Sequence, residues 1–264
     1  MPLLRLQLFE LEDQQWFPDL LRRGLTDYLM AIAARTQPYA AVLPSIHSAI
    51  ASIHAPLIRD YCSGAGGPWL GLLPALTESV PHVRLELTDA FPNSEALNCF
   101  PTGAPVTYRN TPLSATDAWP EDAALATLFA SFHHFPPMQA REILRQASVT
   151  QTPIAIFEVT HRSITALLAM CLVPVAVLYL TSTMRPVRWW RLLFTYVLPV
   201  LPLAIWWDGV VSCWRTYRPD ELLELAASIP DSGMEWRAGE WRTARQPLPV
   251  TYLLGTPTGR LQRT

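Results

Sequence analysis

The stretch Ile58-Arg-Asp-Tyr-Cys-Ser-Gly-Ala-Gly-Gly-Pro68 sets an acidic residue, Asp60, ahead of a glycine cluster, Gly64, Gly66 and Gly67. Glycine is needed where the backbone takes positive φ or where a ligand must approach with no Cβ in the way. A loop that feeds a helix start also offers unpaired N–H groups. An apolar lead ending at Ile58 and an apolar periodic segment from Trp69 to Leu73 flank the cluster. The order therefore reads strand, tight loop, helix, with a nucleotide-like ligand able to lie against the loop, although plain turns use glycine too. Asp89 falls about twenty residues further on, the interval at which a doubly wound sheet places a carboxylate on a ribose diol. Beyond it, Ser131-Phe-His133-His134 and Glu158 each close an apolar run, and imidazole and carboxylate are the groups suited to moving a proton near neutral pH.

Two other glycine-rich readings fail. A dinucleotide fingerprint starting at Gly64 and Gly66 needs glycine where Trp69 stands. A nucleoside-triphosphate loop needs a lysine, and all 20 basic residues are arginine, which also excludes lysine Schiff-base chemistry.

Several elements must position these groups. Trp16, Leu20, Leu21, Leu25, Tyr28, Leu29 and Ile32 recur at helical spacing, so Leu3 to about Ser52 reads as helical. Strands are expected at Val83–Asp89, around Val106–Arg109, at Ala124–Ala130, whose unbroken apolar run suits a strand buried on both faces, and at Ile154–Glu158. Helices are expected from Trp69 to about Leu76 and from Met138 to about Ser148, and Arg218-Pro219-Asp220-Glu221-Leu222 opens another. Met234–Trp241 and Pro249–Gly255 read as two last strands. Strand and helix alternate throughout, the pattern of a parallel α/β sheet.

The chain of 264 residues suits one generous domain or one domain with an insertion. A net charge of -2 gives no electrostatic reason to expect nucleic acid. Cys62, Cys99, Cys171 and Cys213 show neither zinc-ligand nor disulfide-framework spacing, so no metal is expected and a reducing compartment fits. No secretion signal is visible at the N-terminus, and a cytoplasmic catalytic part is expected.

Asp60-Tyr61-Cys62-Ser63-Gly64-Ala65-Gly66 resembles motif I of the class I S-adenosylmethionine (SAM) dependent methyltransferases, acidic-x-Gly-x-Gly-x-Gly, with Cys62 at the first glycine. The longer run through Pro68 and Trp69 is similar to a bacterial subgroup of that superfamily with a hydrophobic insertion after the fifth strand. Asp89-Ala-Phe-Pro-Asn93, Trp207-Asp-Gly-Val-Val211, Arg215-Thr-Tyr217 and Tyr252-Leu-Leu-Gly-Thr-Pro257 extend the likeness, and Ser131 to Pro137 resembles motif IV. The resemblance implies a Rossmann-like, mostly parallel seven-stranded sheet whose antiparallel seventh strand lies between the fifth and sixth. SAM is the implied cofactor. Its implied contacts are Asp60, Cys62, Ser63, Gly64 and Gly66 at the loop, Asp89 at the ribose, Phe91 and Ser114 at the adenine, and Ser131 near the reactive end. Asp117 or a backbone group is the alternative to Ser114, where the subgroup carries an acid. Asn93 caps the helix that follows.

The implied reaction moves the sulfonium methyl to a small acceptor, for which the protein mainly holds the two at near-attack distance. A hydroxyl or phenol would need a base, with His133, His134, His161 and Glu158 as candidates; a carboxylate or thiolate would need none. A noncatalytic SAM-binding or membrane scaffold, and a SAM enzyme with other chemistry, stand as alternatives.

Ser163 to Met184 and Leu192 to Trp207 are uncharged runs of about 22 and about 16 residues, interrupted by Pro174, Pro199 and Pro202 and joined by Arg185-Pro-Val-Arg188-Trp-Trp-Arg191. Arginine interleaved with tryptophan suits a membrane interface. Three readings stand together: association with the inner face of the membrane, a greasy lid or homodimer interface, and a two-pass anchor. A dry pocket of this composition implies a lipophilic acceptor. The expected organisation is an N-terminal helical cap at 1–52, a SAM-binding core at 53–162, the hydrophobic insertion at 163–207 and the rest of the core, with the final hairpin, at 208–264. Asp208, Arg215 and Tyr217 either reach the acceptor or seat the insertion.

Overall fold

The computed structural model of the chain describes residues 3–242 and 248–261, so the outer ends of the expected 1–52 and 208–264 segments, and residues 243–247, lie outside it. The helices are α1 (Asp19–Thr36), α2 (Leu43–Ile50), α3 (Gly67–Ser79), α4 (Pro137–Val149), α5 (Ile164–Met170), α6 (Val173–Thr183), α7 (Trp189–Leu192), α8 (Val200–Arg215), α9 (Pro219–Ala227) and α10 (Thr258–Leu261). The strands are β1 (Leu57–Tyr61), β2 (Arg84–Leu87), β3 (Val106–Tyr108), β4 (Leu125–Phe129), β5 (Ile154–Glu158), β6 (Met234–Trp241) and β7 (Val250–Pro257). They form two compact units, one of Met1–Thr36 with Thr160–Tyr217 and one of Gln37–Val159 with Arg218–Thr264. These divisions differ from the expected ones: α1 groups with the helices of the apolar stretch, and α2 with the sheet.

The sheet unit has strand order β3-β2-β1-β4-β5-β7-β6. The first five pair in parallel, and β7 runs antiparallel between β5 and β6, as the resemblance implies. Alternation along the strands divides the core. Ile58, Leu85, Leu87, Phe129, Ala155 and Phe157 join Ile46 and Ile50 of α2 and Trp69, Leu72 and Leu76 of α3 in one apolar cluster. The intervening Ala126, Leu128, Ile154 and Ile156 are buried on the other face. Arg59 and Tyr61 also point away from the α2/α3 side. Arg59 is buried and donates to Glu86 at 2.5 Å and to Asp122 at 2.7 Å, while Tyr61 stacks on Trp119 at 4.6 Å. Burial alone would lower the Arg59 pKa, but its two carboxylate partners outweigh that and raise it.

The other unit holds α1 and α5 to α8 around Leu21, Leu25, Tyr28, Val177, Leu180, Leu201 and Ile205. Helices α1 and α8 approach so closely at Gly24 that a Cβ there would lie 2.5 Å from Leu201. The expectation of helix from Leu3 is not met before Asp19. Residues 3–18 form instead an extended and turned segment laid on α8: Leu6 N–H donates to the Trp214 carbonyl, the Trp207 indole donates to the Phe9 carbonyl, and Asp208 accepts the Leu11 and Glu12 N–H groups. Burial pushes the Asp208 carboxyl up to about 7. Arg215 pairs with Asp13 at 2.8 Å and the Arg5 guanidinium lies 3.8 Å above the Tyr217 ring, so these polar groups of the unit make internal ties.

Neither apolar run is a single helix. The first bends by 46° between α5 and α6, and the second by 77° between Trp189–Val197 and α8; among the described residues no single helix is long and apolar enough to cross a membrane. Proline explains both breaks: Pro174 in the first turn of α6 and Pro199 ahead of α8 each lack an N–H and crowd the preceding turn.

Replacing Arg59 by Ala leaves Glu86 with the more exposed Arg109 alone and opens a void beside β1. The expected loss is about 3 kcal/mol, read as a lower urea midpoint with unchanged slope.

Candidate active site

The crevice lies where the strand order turns back, between β1 with its β2 neighbour and β4 with its β5 neighbour, which is where parallel α/β sheets take their ligands. The loop after β1 folds through Cys62 (φ 54°), Gly64 (φ 52°) and Gly66 (φ 70°). It is latched to the end of β2. Ser63 N–H donates to the Thr88 carbonyl at 3.0 Å, and the Ser63 and Thr88 hydroxyls both donate to the Asp60 carbonyl, at 2.8 and 2.9 Å. The two glycines answer different needs. A Cβ on Gly66 would sit 2.9 Å from Leu87 and 3.1 Å from Phe100, whereas one on Gly64 would meet nothing within 4 Å.

Asp89 follows directly. Its carboxylate accepts Gly64 N–H at 3.0 Å through one oxygen and Phe91 N–H at 2.9 Å through the other, so both oxygens are oriented and each keeps a further lone pair. The Phe91 ring is exposed, and Asn93 caps the short helical segment Ser94–Cys99 by accepting from Glu95 N–H, as expected. Ser114 lies in a turn hung on Asp89 by the Leu113 N–H; its own N–H donates to Asp117, which engages one oxygen of that carboxylate.

Asp60 is buried on the α2/α3 face and accepts from the Thr127 hydroxyl at 2.6 Å. Burial pushes its carboxyl up to about 6, the Thr127 hydrogen bond opposes the rise, and the charge of Asp89 adds to it. Burial likewise pushes the Cys62 thiol up, followed by the charges of Asp89 and Asp60; its neighbour is Ser131. A group the sequence did not single out completes this wall. Tyr39, between α1 and α2, packs edge-on against Phe129 at 4.9 Å, and its buried hydroxyl has no hydrogen-bond partner among the described residues. Burial raises it well above its ordinary pKa, with Glu158 and Asp60 adding to the effect, which places the phenol within electrostatic reach of both carboxylates.

At the ends of β4 and β5 the expected trio comes together. His133 Nδ1 lies 2.7 Å from Glu158 Oε2, with both side chains almost wholly buried. The other Glu158 oxygen accepts Phe132 N–H at 2.7 Å and His133 N–H at 3.2 Å. His134 lies beside His133 with ring centroids 4.3 Å apart and planes tilted by 32°. Phe132–His134 is a single tight helical turn, which is why two adjacent histidines lie side by side instead of alternating as they would in a strand. His161, the remaining candidate base, falls in the helical unit.

No protein-family model matches the sequence, and no curated protein matches it. Solved structures do. An O-methyltransferase of neocarzinostatin biosynthesis, crystallised with SAM and 2-hydroxy-5-methyl naphthoic acid, superposes with a TM-score of 0.50 at 16% identity, over 90% of this chain and 58% of its own. Human N-acetylserotonin methyltransferase with SAM gives 0.49 at 14% identity, over 89% and 56%. Magnesium protoporphyrin IX methyltransferase from Synechocystis with bound SAH, the demethylated cofactor, gives 0.45 at 12%, over 91% and 88%. The chain thus spans little more than half the length of the first two. At 16% identity the first of these likenesses establishes architecture alone: the chain has the class I methyltransferase fold.

Gly66→Ala, which adds both a contact and a positive-φ penalty, is expected to cost about 2 kcal/mol or more, and Gly64→Ala, which adds the penalty alone, about 1 kcal/mol; paired urea titrations check the contrast. Asp60 gives a pH signature. Its folded pKa, about 6, lies above the ordinary 3.8, so the folded state holds the proton longer. The stabilisation is present below pH 4 and is lost as pH rises through 6, about 3 kcal/mol in all. Asp60→Asn should therefore gain stability relative to the parent between pH 4.5 and pH 7.5, measured as the difference in urea midpoints.

Proposed function

We propose that the chain is a SAM-dependent O-methyltransferase acting on a hydroxyl of a small, lipophilic acceptor. The observation that carries this reading is the buried His133–Glu158 pair at the carboxyl ends of β4 and β5, beside the Asp60–Asp89 crevice.

The residues present suit a cationic nucleoside. Asp89 lies close enough to raise the cost of ionising Asp60, so a positive ligand is favoured there and a phosphate is not, and the chain has no lysine to offset one. Asp89 would hold the ribose diol, the Ser63–Gly66 backbone would lie along the ligand, and Gly64 leaves the approach open. Asp60 and the Tyr39 hydroxyl would serve the polar amino-acid end, Phe91 and the Ser114 turn the adenine, and Cys62 and Ser131 the wall between. When bound, SAM supplies an electrophilic methyl carbon.

Glu158 and His133 divide the remaining work. With three hydrogen bonds onto its two oxygens, Glu158 is fixed in position and orients the ring. Its demand for the Nδ1 proton puts the basic lone pair on Nε2, the atom that takes the proton from an acceptor hydroxyl. The imidazolium so formed keeps Glu158 as its counter-charge. A carboxylate or thiolate acceptor would need no such pair, which is why the geometry favours oxygen–hydrogen acceptors.

Calorimetry with SAM should show binding, and Asp89→Ala should weaken it roughly tenfold or more, as loss of a charge-assisted fork does. His133→Gln should keep SAM affinity while turnover on a panel of lipophilic phenols and alcohols falls roughly 100-fold or more. A mass gain of one methylene on the product separates methyl transfer from other chemistry. Absence of SAM binding, or full turnover by His133→Gln, overturns the reading.

A further inference from the structure

The helical unit wears an apolar outer face. Along α5 and α6, Ile164, Leu168, Leu172, Val175 and Tyr179 follow one another at spacings of three and four, and all are exposed, Leu172 by 68% and Tyr179 by 71%. The opposite side of the same helices carries Ala166, Val177 and Leu180, which are buried. A helix facing water would place polar residues on the outer stripe. The break before α8 continues the pattern, because Tyr196, Val197, Leu198 and Val200 are exposed around Pro199, and the Tyr196 hydroxyl donates to the Leu178 carbonyl, joining this bend to the stripe.

Charge points to what covers it. Between Ser163 and Trp207 the chain carries no Asp or Glu, and its charges are Arg185, Arg188 and Arg191. Arg191 is buried against Asp27. Arg185 reaches the Ser182 and Met184 carbonyls, and among the described residues no carboxylate pairs with it or with Arg188. Beside them Trp189 is 74% exposed. Exposed apolar side chains, a tryptophan and two tyrosines at their margin, and cations without acids together match the layering of an anionic lipid surface, where hydrocarbon, indole and guanidinium each find their depth. A second protein copy would bring this same acid-free, arginine-bearing face against itself, setting like charges together.

We infer that the α5–α6 stripe and the Tyr196–Val200 bend form a docking surface for the anionic phospholipid bilayer, inserted at headgroup depth without crossing. Both helix pairs are bent, which suits shallow seating with the bend pointing inward.

The test is flotation of the whole chain with vesicles of phosphatidylcholine alone or with roughly 30% phosphatidylglycerol, a surface charge that polybasic contacts sense. The chain should float with the anionic vesicles, and much less with the neutral ones. Val197→Asp with Leu198→Asp, and separately Leu172→Gln with Val175→Gln, should each cut the floating fraction roughly tenfold, since the loss is of exposed apolar contact alone. Arg185→Glu with Arg188→Glu should remove the preference for anionic lipid. Thermal melting of each variant should match the parent within a few degrees, because these side chains are exposed or, for Arg188, half-buried. A chain that stays at the bottom with both vesicles, flotation indifferent to all three pairs, or a stable dimer in light scattering that Val197→Asp with Leu198→Asp dissolves while nothing floats, each overturns the proposal. SAM calorimetry on the same preparations keeps this outcome separate from that of the methyltransferase reading.

Discussion

The carbonyl of Asp60 is the point on which the crevice hangs. It receives the hydroxyls of Ser63 and Thr88 and the Thr88 N–H at 2.9 Å, while Ser63 N–H returns a bond to the Thr88 carbonyl. These groups are buried, so water cannot replace a lost partner and each bond is expensive to leave unmade. The latch fixes the direction in which the chain leaves β1 and brings Asp89, one residue beyond Thr88, under the Gly64 N–H. Positive φ at three of five loop positions follows from it. With one end tied to β2 and the other opening α3, the loop has no extended route, and its Ser63, Gly64 and Gly66 N–H groups are taken up by the Thr88 carbonyl, the Asp89 carboxylate and the Ser63 carbonyl.

Cys62 shows how far that constraint reaches. It stands where the motif it resembles carries glycine, yet adopts the same left-handed conformation, at a cost of about 1 kcal/mol for a residue with a Cβ. Its thiol is shielded, and burial together with Asp89 and Asp60 keeps it neutral, so no reactive thiolate sits at the crevice. The substitution is one of shape and polarity. It adds a small apolar group to a wall otherwise formed by carboxylates, hydroxyls and a phenol.

The sheet was legible because its strands are the segments that local chemistry describes best. Ile154–Glu158 and Met234–Trp241 stand where alternation and apolar runs put them, and β1, β2, β3, β4 and β7 within a few residues. Asp89 was legible from spacing, since a doubly wound unit has a nearly fixed length. The misses share a cause in long-range contact. Residues 3–18 mostly precede the helical spacing that begins at Trp16, and α8 supplies a carbonyl and a carboxylate that take up the Leu6, Leu11 and Glu12 N–H groups without a helix. Pro174 and Pro199 announced breaks without telling how sharp these would be. Tyr39 left no local signal: a tyrosine between two helices is ordinary, and only tertiary burial of its hydroxyl near Asp60 and Glu158 sets it apart. The position of Glu158 at the end of β5 suits a base, and in the proposed reaction its hydrogen bonds to Phe132, His133 and the His133 ring suit it to orienting that ring.

The two units invert one another in where they keep polarity. The sheet unit follows the usual order, burying aromatic and aliphatic side chains around Trp69 and Phe157 and confining its buried charge to the crevice and to the Arg59 network. The helical unit buries a good share of its charge, Arg191 against Asp27 and Arg215 against Asp13, with Asp208 held under two N–H groups, while its outermost residues are leucine, valine, tyrosine and tryptophan. Buried ion pairs add little net stability, so they do not compensate for apolar surface left in water. A contiguous apolar face of this extent is uncommon on a protein surrounded only by water. Selection for packing alone would have placed those leucines inward and the arginines out. The arrangement is intelligible when the medium outside α5 and α6 is itself partly apolar, because burying charge and exposing hydrocarbon then follow from the same solvent.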